Sequence, residues 1–178
     1  MKYIQQNTTL NMQFKREVLE SLADVDVFKH PVLYITGLRD FKFTEDEVAR
    51  LRTYLQSGGV LIGDAAAGRK AFDVAFRREI ARVLPDRKLE MLPADAATYS
   101  MPFRIGAVNY SPIVREQQPS LNSPVLEGAK IDGQWGVIYS QYSLSNGWEQ
   151  LGFAYNRGYA DADALRIGVN LFAYAMTH

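Results

Sequence analysis

The chain has no cysteine in 178 residues. That absence excludes a disulfide framework, a thiolate nucleophile and any thiolate-ligated zinc or iron–sulfur site. It leaves the compartment open, because chains without cysteine suit reducing and oxidising spaces equally. Histidine is nearly as scarce: His30 and His178 are the only two, too few for a multi-histidine metal site. Charge of one sign is not in excess either. Twenty Lys and Arg balance twenty Asp and Glu, which argues against a dedicated nucleic-acid or membrane-surface binder. No apolar run approaches the roughly 18 residues of a membrane span, so no membrane insertion by this chain is expected. Met1–Leu10 is polar and lacks the apolar centre of a signal peptide. The reading is a soluble chain, with cytoplasm and cell envelope both open.

What is present is apolar content, at 47% of residues, enough for one core and one domain over 1–178. Either end could have been cut from a longer protein. Phe14, Val18 and Leu22 predict an amphipathic helix over Asn11–Leu22. His30-Pro31 forces extended backbone into the apolar run Val32–Thr36, which ends at Gly37. Thr44 and Glu47 form a capping-box pair, Val48, Leu51 and Leu55 repeat at helical spacing, and Gly58-Gly59 stops the helix. Val60–Gly63 reads as a second buried strand ending at Asp64 and the small run Ala65–Gly68. A third helix carries Phe72, Phe76, Ile80 and Val83 on one side, and Pro85 ends it. Leu89–Leu92 reads as a short strand. Pro93–Pro124 has little pattern and is expected to be a long loop excursion with at most a short element. Leu126–Ile131, the Asp132-Gly133 turn and Trp135–Tyr139 make a hairpin. Ser140–Gly158 reads as a polar loop, and a last helix from Asp161 presents Leu165, Val169, Phe172, Ala173 and Met176 to the core.

Apolar strands alternating with amphipathic helices predict an α/β fold with a mainly parallel sheet. In such sheets ligands bind beyond the carboxyl ends of the strands, here Thr36-Gly37, Asp64-Ala65 and Tyr139-Ser140.

Several blocks together resemble one family. They are Tyr34–Gly37, Phe43–Glu47, Leu51-Arg52-x-Tyr54-Leu55-x-Ser57-Gly58-Gly59, Leu61-Ile62-x-Asp64, Phe72-Asp73, Phe76–Glu79 and Asp163-Ala164-Leu165-Arg166-x-Gly168-Val169-Asn170. The family is the bacterial "domain of unknown function 4159". The resemblance is strong over 28–92 and looser over 124–177. It implies a flavodoxin-like three-layer sandwich related to the class I glutamine amidotransferase fold. It also implies a domain that often sits in larger exported or membrane-anchored bacterial proteins. It implies no activity, and no cofactor. Two departures stand out: the usual N-terminal strand region is short or missing, and Ala65 stands where a second acid is usual.

Glutaminase chemistry needs a thiolate, a histidine base and an orienting acid, and this chain has no thiol. It also has no Gly-x-Ser-x-Gly elbow. Asp64, at the end of a buried strand before small residues, is either a ligand-binding acid or a cap that accepts loop N–H groups. Thr36 and Gly37 either approach a ligand or simply make a turn, and Arg39 with Asp40 reads as a surface pair. Asn146 and Trp148 sit in the polar loop, where Trp148 either stacks on a ligand or folds back as a plug. Tyr139, Tyr142 and Tyr155 surround the same segment and could line a cleft. From Arg69 to Lys88 seven basic residues face three acidic ones, so Arg69, Arg77, Arg78 and Arg82 form either a partner surface or a solvated face. Asn170, mid-helix, is expected to satisfy loop backbone. The expected function is a non-catalytic domain binding a small molecule or a protein partner. The alternative is an enzyme of unassigned reaction with Asp64 as acid/base or weak metal ligand.

Overall fold

The computed structural model describes residues 22, 25–26, 29–150 and 152–177. The helix expected over 11–22 therefore lies, Leu22 apart, outside the described residues. In chain order the elements are β1 (Val32–Gly37), α1 (Glu45–Gln56), β2 (Val60–Ala65), a 3-10 turn (Ala66–Gly68), α2 (Lys70–Val83) and β3 (Glu90–Met91). A second 3-10 turn (Ala97–Tyr99), α3 (Pro112–Gln117), β4 (Glu127–Ile131), β5 (Gln134–Ser140), α4 (Ser145–Glu149) and α5 (Asp161–Thr177) follow.

The five strands form one sheet in the order β1-β2-β5-β4-β3. β1, β2 and β5 run parallel, with Thr36 beside Asp64 and Asp64 beside Ser140. β4 is antiparallel to both β5 and β3. The sheet is thus mixed rather than mainly parallel. The cause is the Asp132-Gly133 turn: both residues have positive φ, 49° and 87°, the geometry of a two-residue hairpin that returns the chain antiparallel.

Helical layers cover both faces of the sheet. Leu61, Ala65, Val137 and Tyr139 pack against Val48, Leu51 and Leu55 of α1 and Phe72, Phe76 and Ile80 of α2. Val60, Ile62 and Ile138 pack the opposite way, against Ala164, Ile167, Leu171 and Tyr174 of α5. This alternation is the period-two geometry of a strand, and it explains why all six residues of β2 are buried.

Local chemistry sets the elements. Thr44 Oγ1 accepts the Glu47 amide at 3.2 Å while Glu47 Oε2 accepts the Thr44 amide at 2.7 Å, so both orphan donors at the start of α1 are satisfied. At the other end Gly58 supplies φ +93°, and Gly59 lies under the Tyr54 ring, where a Cβ would fall 2.2 Å from it.

Two further expectations are corrected. The 93–124 stretch is not an excursion from the domain: Tyr99, Ile105, Val108, Tyr110 and Val114 enter the core beneath α5. Asn170, fully buried in α5, pins it, accepting the Phe103 amide at 2.9 Å and donating to the carbonyls of Thr98 and Phe103. The buried face of α5 is also turned from the expected one. Of the expected residues Val169 is buried, alongside Ala164, Ile167, Gly168, Leu171, Tyr174 and Ala175, whereas Leu165, Phe172 and Ala173 are half-buried and Met176 is 46% exposed. The helix is apolar on nearly every side, so periodicity alone does not choose the face. Among the described residues no helix is long and apolar enough to cross a membrane.

Candidate functional site

The parallel register brings the expected strand-end residues into one row, and their side chains are occupied by one another. Asp64 is 0% exposed. Its Oδ1 accepts the Leu144 amide at 2.8 Å, and its Oδ2 accepts the Ser145 amide at 3.0 Å, the Tyr34 hydroxyl at 2.9 Å and the Thr36 hydroxyl at 3.3 Å. The carboxylate buttons the chain leaving β5 onto the ends of β1 and β2. Oδ2 is saturated and Oδ1 holds one bond, the shorter bond of the Thr36 hydroxyl, 2.8 Å, goes to the Asp64 carbonyl, and the residue is fully buried, so the carboxylate is engaged by the chain around it. Among the described residues no three His, Asp or Glu side chains converge as a metal site. Burial and the adjacent Asp64 carboxylate push the Tyr34 phenol far above its usual range.

The neighbours behave alike. A Cβ at Gly37 would fall 2.8 Å from the Phe72 ring, so that glycine serves helix packing rather than ligand approach. Ala65 is buried. Ser140 donates to the Tyr142 carbonyl at 2.6 Å. Tyr139 stacks on Phe76 at 4.3 Å and donates to Asp73 Oδ1 at 3.1 Å. Asn146 Oδ1 accepts the Ala67 amide at 3.3 Å and the Ser143 hydroxyl at 3.0 Å. Trp148 lies in α4, not in an open loop. Its ring is half-buried over Gly168, its Nε1–H donates to the Ala164 carbonyl at 2.7 Å, and Tyr34 covers it at 5.3 Å. A stacking platform is replaced by a plug, because Gly168 leaves a slot in which the indole finds both apolar walls and an acceptor.

Most of the basic stripe is engaged within the chain. Arg77 forks onto Glu127 of β4 with two bonds of 2.6 Å and reaches Asp73 at 2.8 Å. Arg78 meets Glu79 at 2.7 Å and Asp40 at 3.0 Å. Arg82 bonds Glu79, Glu45 and the Phe43 carbonyl. These guanidiniums hold α2 to β4 and to the β1–α1 connection. Burial alone would raise the acids Asp73 and Glu79. The Lys70 and Arg77 charges outweigh it for Asp73, and Arg78, the Phe43 amide and Arg82 outweigh it for Glu79, so both carboxyls lie below their usual range.

What remains open lies just outside this floor. A cleft of about 500 Å³ sits beyond the carboxyl ends of β2 and β5, lined by Ala67–Lys70, Asp73, Gln118, Gln141, Tyr142, Tyr155 and Arg157. Its rear wall is a tight backbone crossing. Ala67 and Gly68 have φ of 51° and 63°, and a Cβ on Gly68 would fall 2.5 Å from the Arg157 carbonyl. The Arg157 amide donates to the Ala67 carbonyl at 3.2 Å. Lys70 Nζ reaches Asp73 at 2.7 Å, and Arg157 bonds Gln117. Arg69 is exposed and has no ion pair among the described residues. Tyr142 donates to Gln118 Oε1 at 3.2 Å, and Tyr155, 69% exposed, stands at the mouth beside Phe153.

Of the twelve residues singled out as site or partner residues, Arg69 alone lines this cleft. Tyr142 and Tyr155 of the anticipated tyrosine trio line it too, and Tyr139 lies in the core. Arg157 carried no sequence signal. Gly68 did, as a glycine directly after a strand end. A larger hollow of about 620 Å³ lies at the opposite end of the sheet, between the ends of α1 and α2 and the hairpin turn. Its Arg52 is spent on the carbonyls of Val83 and Arg82, and that end of a parallel sheet is not where ligands collect.

No curated protein matches the chain. A family model does, over residues 1–176, which extends the similarity beyond the blocks at 28–92 and 124–177. The chain belongs to the family described as Domain of unknown function (DUF4159).

Proposed function

We propose that this domain is a non-catalytic binding module that holds a small polar ligand in the cleft beyond β2 and β5. The carrying observation is a division of labour at the strand ends. Asp64, Thr36, Ser140 and Asn146 bond neighbouring side chains and the backbone, while the adjoining cleft of about 500 Å³ is lined by cationic, amide and aromatic groups. Pockets of this size with a few convergent polar groups are the usual form of a small-molecule site. Its lining holds no serine, threonine or cysteine, and its one amine, on Lys70, is engaged in an ion pair with Asp73. The same proposal takes the scaffold to be flavodoxin-like and akin to the class I glutamine amidotransferases. The parallel β1-β2-β5 centre between two helical layers supports that kinship. Without a cysteine, what such a scaffold retains here is the binding position.

The test is an amide-shift titration with nucleotides, sugar phosphates, dicarboxylates and neutral saccharides. Saturable shifts confined to 67–70, 141–142 and 155–157, with every compound recovered unchanged, are expected. Shifts gathered instead around Asp132 and Pro85, or conversion of a bound compound, would overturn the reading.

A further inference from the structure

We infer that the cleft selects a dianionic group, a phosphate monoester, carried on a planar ring. This rests on the cleft being the ligand site and adds the chemistry of the ligand. Three cationic side chains, Arg69, Lys70 and Arg157, line the cleft against one carboxylate, Asp73. That carboxylate is already met by Lys70 at 2.7 Å, Arg77 at 2.8 Å and the Tyr139 hydroxyl at 3.1 Å. The cleft therefore carries surplus positive charge in a molecule whose formal net charge is zero.

The donors differ in kind. Arg69 and Arg157 offer planar forks that match two oxygens of one phosphate. Lys70, with its side chain 82% exposed, is a mobile point charge able to share Asp73 with an incoming anion. The wall between them is the start of α2, whose N-cap residue, Arg69, makes no side-chain cap bond. A monoanionic carboxylate would leave part of that surplus uncompensated, whereas a phosphate monoester has the charge and three acceptor oxygens.

The ring requirement comes from the mouth. Tyr155 is 69% exposed, and an aromatic face left in water at the rim of a cleft is a stacking surface. Gln141 and Gln118 lie behind it. The Gln118 carbonyl is taken by Tyr142, and its amide N–H groups suit the polar edge of a heterocycle.

Calorimetry with inorganic phosphate, adenosine and adenosine monophosphate tests the inference on the intact chain. The monophosphate is expected to bind about tenfold or more tighter than either fragment. Arg69→Ala and Arg157→Ala should each weaken it by about tenfold and flatten its salt dependence, the loss expected of one charge-assisted contact. Tyr155→Ala should weaken the monophosphate and leave inorganic phosphate unchanged. All three side chains lie outside the buried core, and circular dichroism of each variant establishes that it folds. If adenosine or a neutral saccharide shifts the cleft amides and neither phosphate compound does, the anion inference falls while the cleft stands. If no compound of either kind shifts those amides, both fall. Equal binding of the monophosphate to the parent and to both arginine variants also overturns the inference.

Discussion

Replacing Asp64 by asparagine keeps the side chain's volume and removes its charge, so it separates the two roles a strand-end acid can have. Asp64 Oδ1 and Oδ2 accept from the Leu144 and Ser145 amides, and Tyr34 and Thr36 donate to Oδ2. An asparagine must point its NH2 at one of those donor sets, leaving buried donors unpaired at a cost of about 3 kcal/mol. The expected outcome for Asp64→Asn is a melting temperature about 6–12 °C lower. Ligands of the cleft should still raise the melting temperature of the variant. An unchanged or raised melting temperature would mean that the carboxylate is held for function at a cost to stability. At this scale the sequence located the residue and left its role open. Asp64 was visible as an acid ending a buried strand, but its partners Leu144 and Ser145 are 80 and 81 positions away. Asn170 was easier to read, because an amide inside an apolar helix must serve someone's backbone. Arg157 was unreadable, since nothing near it in sequence announces that Gly68 crosses its backbone.

α2 shows the same limit for an element. Its apolar face and its stop at Pro85 follow from spacing, and the helix runs Lys70–Val83 as that spacing implies. Its opposite face reads as a basic stripe only while Asp40, Glu45 and Glu127 are out of sight, and the fold brings all three to it. This has a pH consequence. Asp73 and Glu79 titrate below their usual range in the folded chain. A carboxyl depressed by folding stabilises the native state above its unfolded pKa, about 4, and that contribution is lost as pH falls through the folded value. Urea midpoints should therefore fall as pH drops below about 4. In Asp73→Asn and Glu79→Gln the midpoint at neutral pH should be lower and its acid slope shallower. An acid slope identical to the parent's in both variants would place the sensitivity in other groups. For the buried face of α5, Val169 apart, and for the packing of the 93–124 segment the reading failed for a related reason. A helix apolar on most sides does not choose its own buried face, and a segment that packs through scattered tyrosines and aliphatic residues leaves no period to read.

Across the whole molecule, the α/β class and the order of most elements were legible, and the sheet's direction was not. The hairpin at Asp132-Gly133 was identifiable, yet its consequence, an antiparallel half beside a parallel half, appears only when β5 takes the place next to β2. Tyrosine hydroxyls pin the loops and helices around this sheet. Tyr54 donates to the His30 carbonyl, Tyr110 to the Ser123 carbonyl and Tyr159 to the Val125 carbonyl, while Tyr99 and Tyr174 accept the Leu126 and Trp135 amides. Burial raises each of these phenols, Tyr159 to about 12, and Tyr34 and Tyr139 are raised too, with the carboxylates of Asp64 and Asp73 adding to burial. A group raised by folding stabilises the native state fully below its unfolded pKa, about 10 for phenol. That stability is lost as pH climbs toward the folded values, because the unfolded chain releases its protons first. The chain should therefore unfold cooperatively in alkali, with most phenolate absorbance appearing together with the loss of far-ultraviolet dichroism. Seven of the ten tyrosines belong to this group, so the two signals should share one midpoint above about pH 10. Phenolate absorbance that is complete near pH 10.5, roughly half a unit above the free phenol, with the dichroism intact would show that these hydroxyls are reached by solvent in the folded state. The tyrosine bonds would then not be what holds the loops and helices onto the sheet.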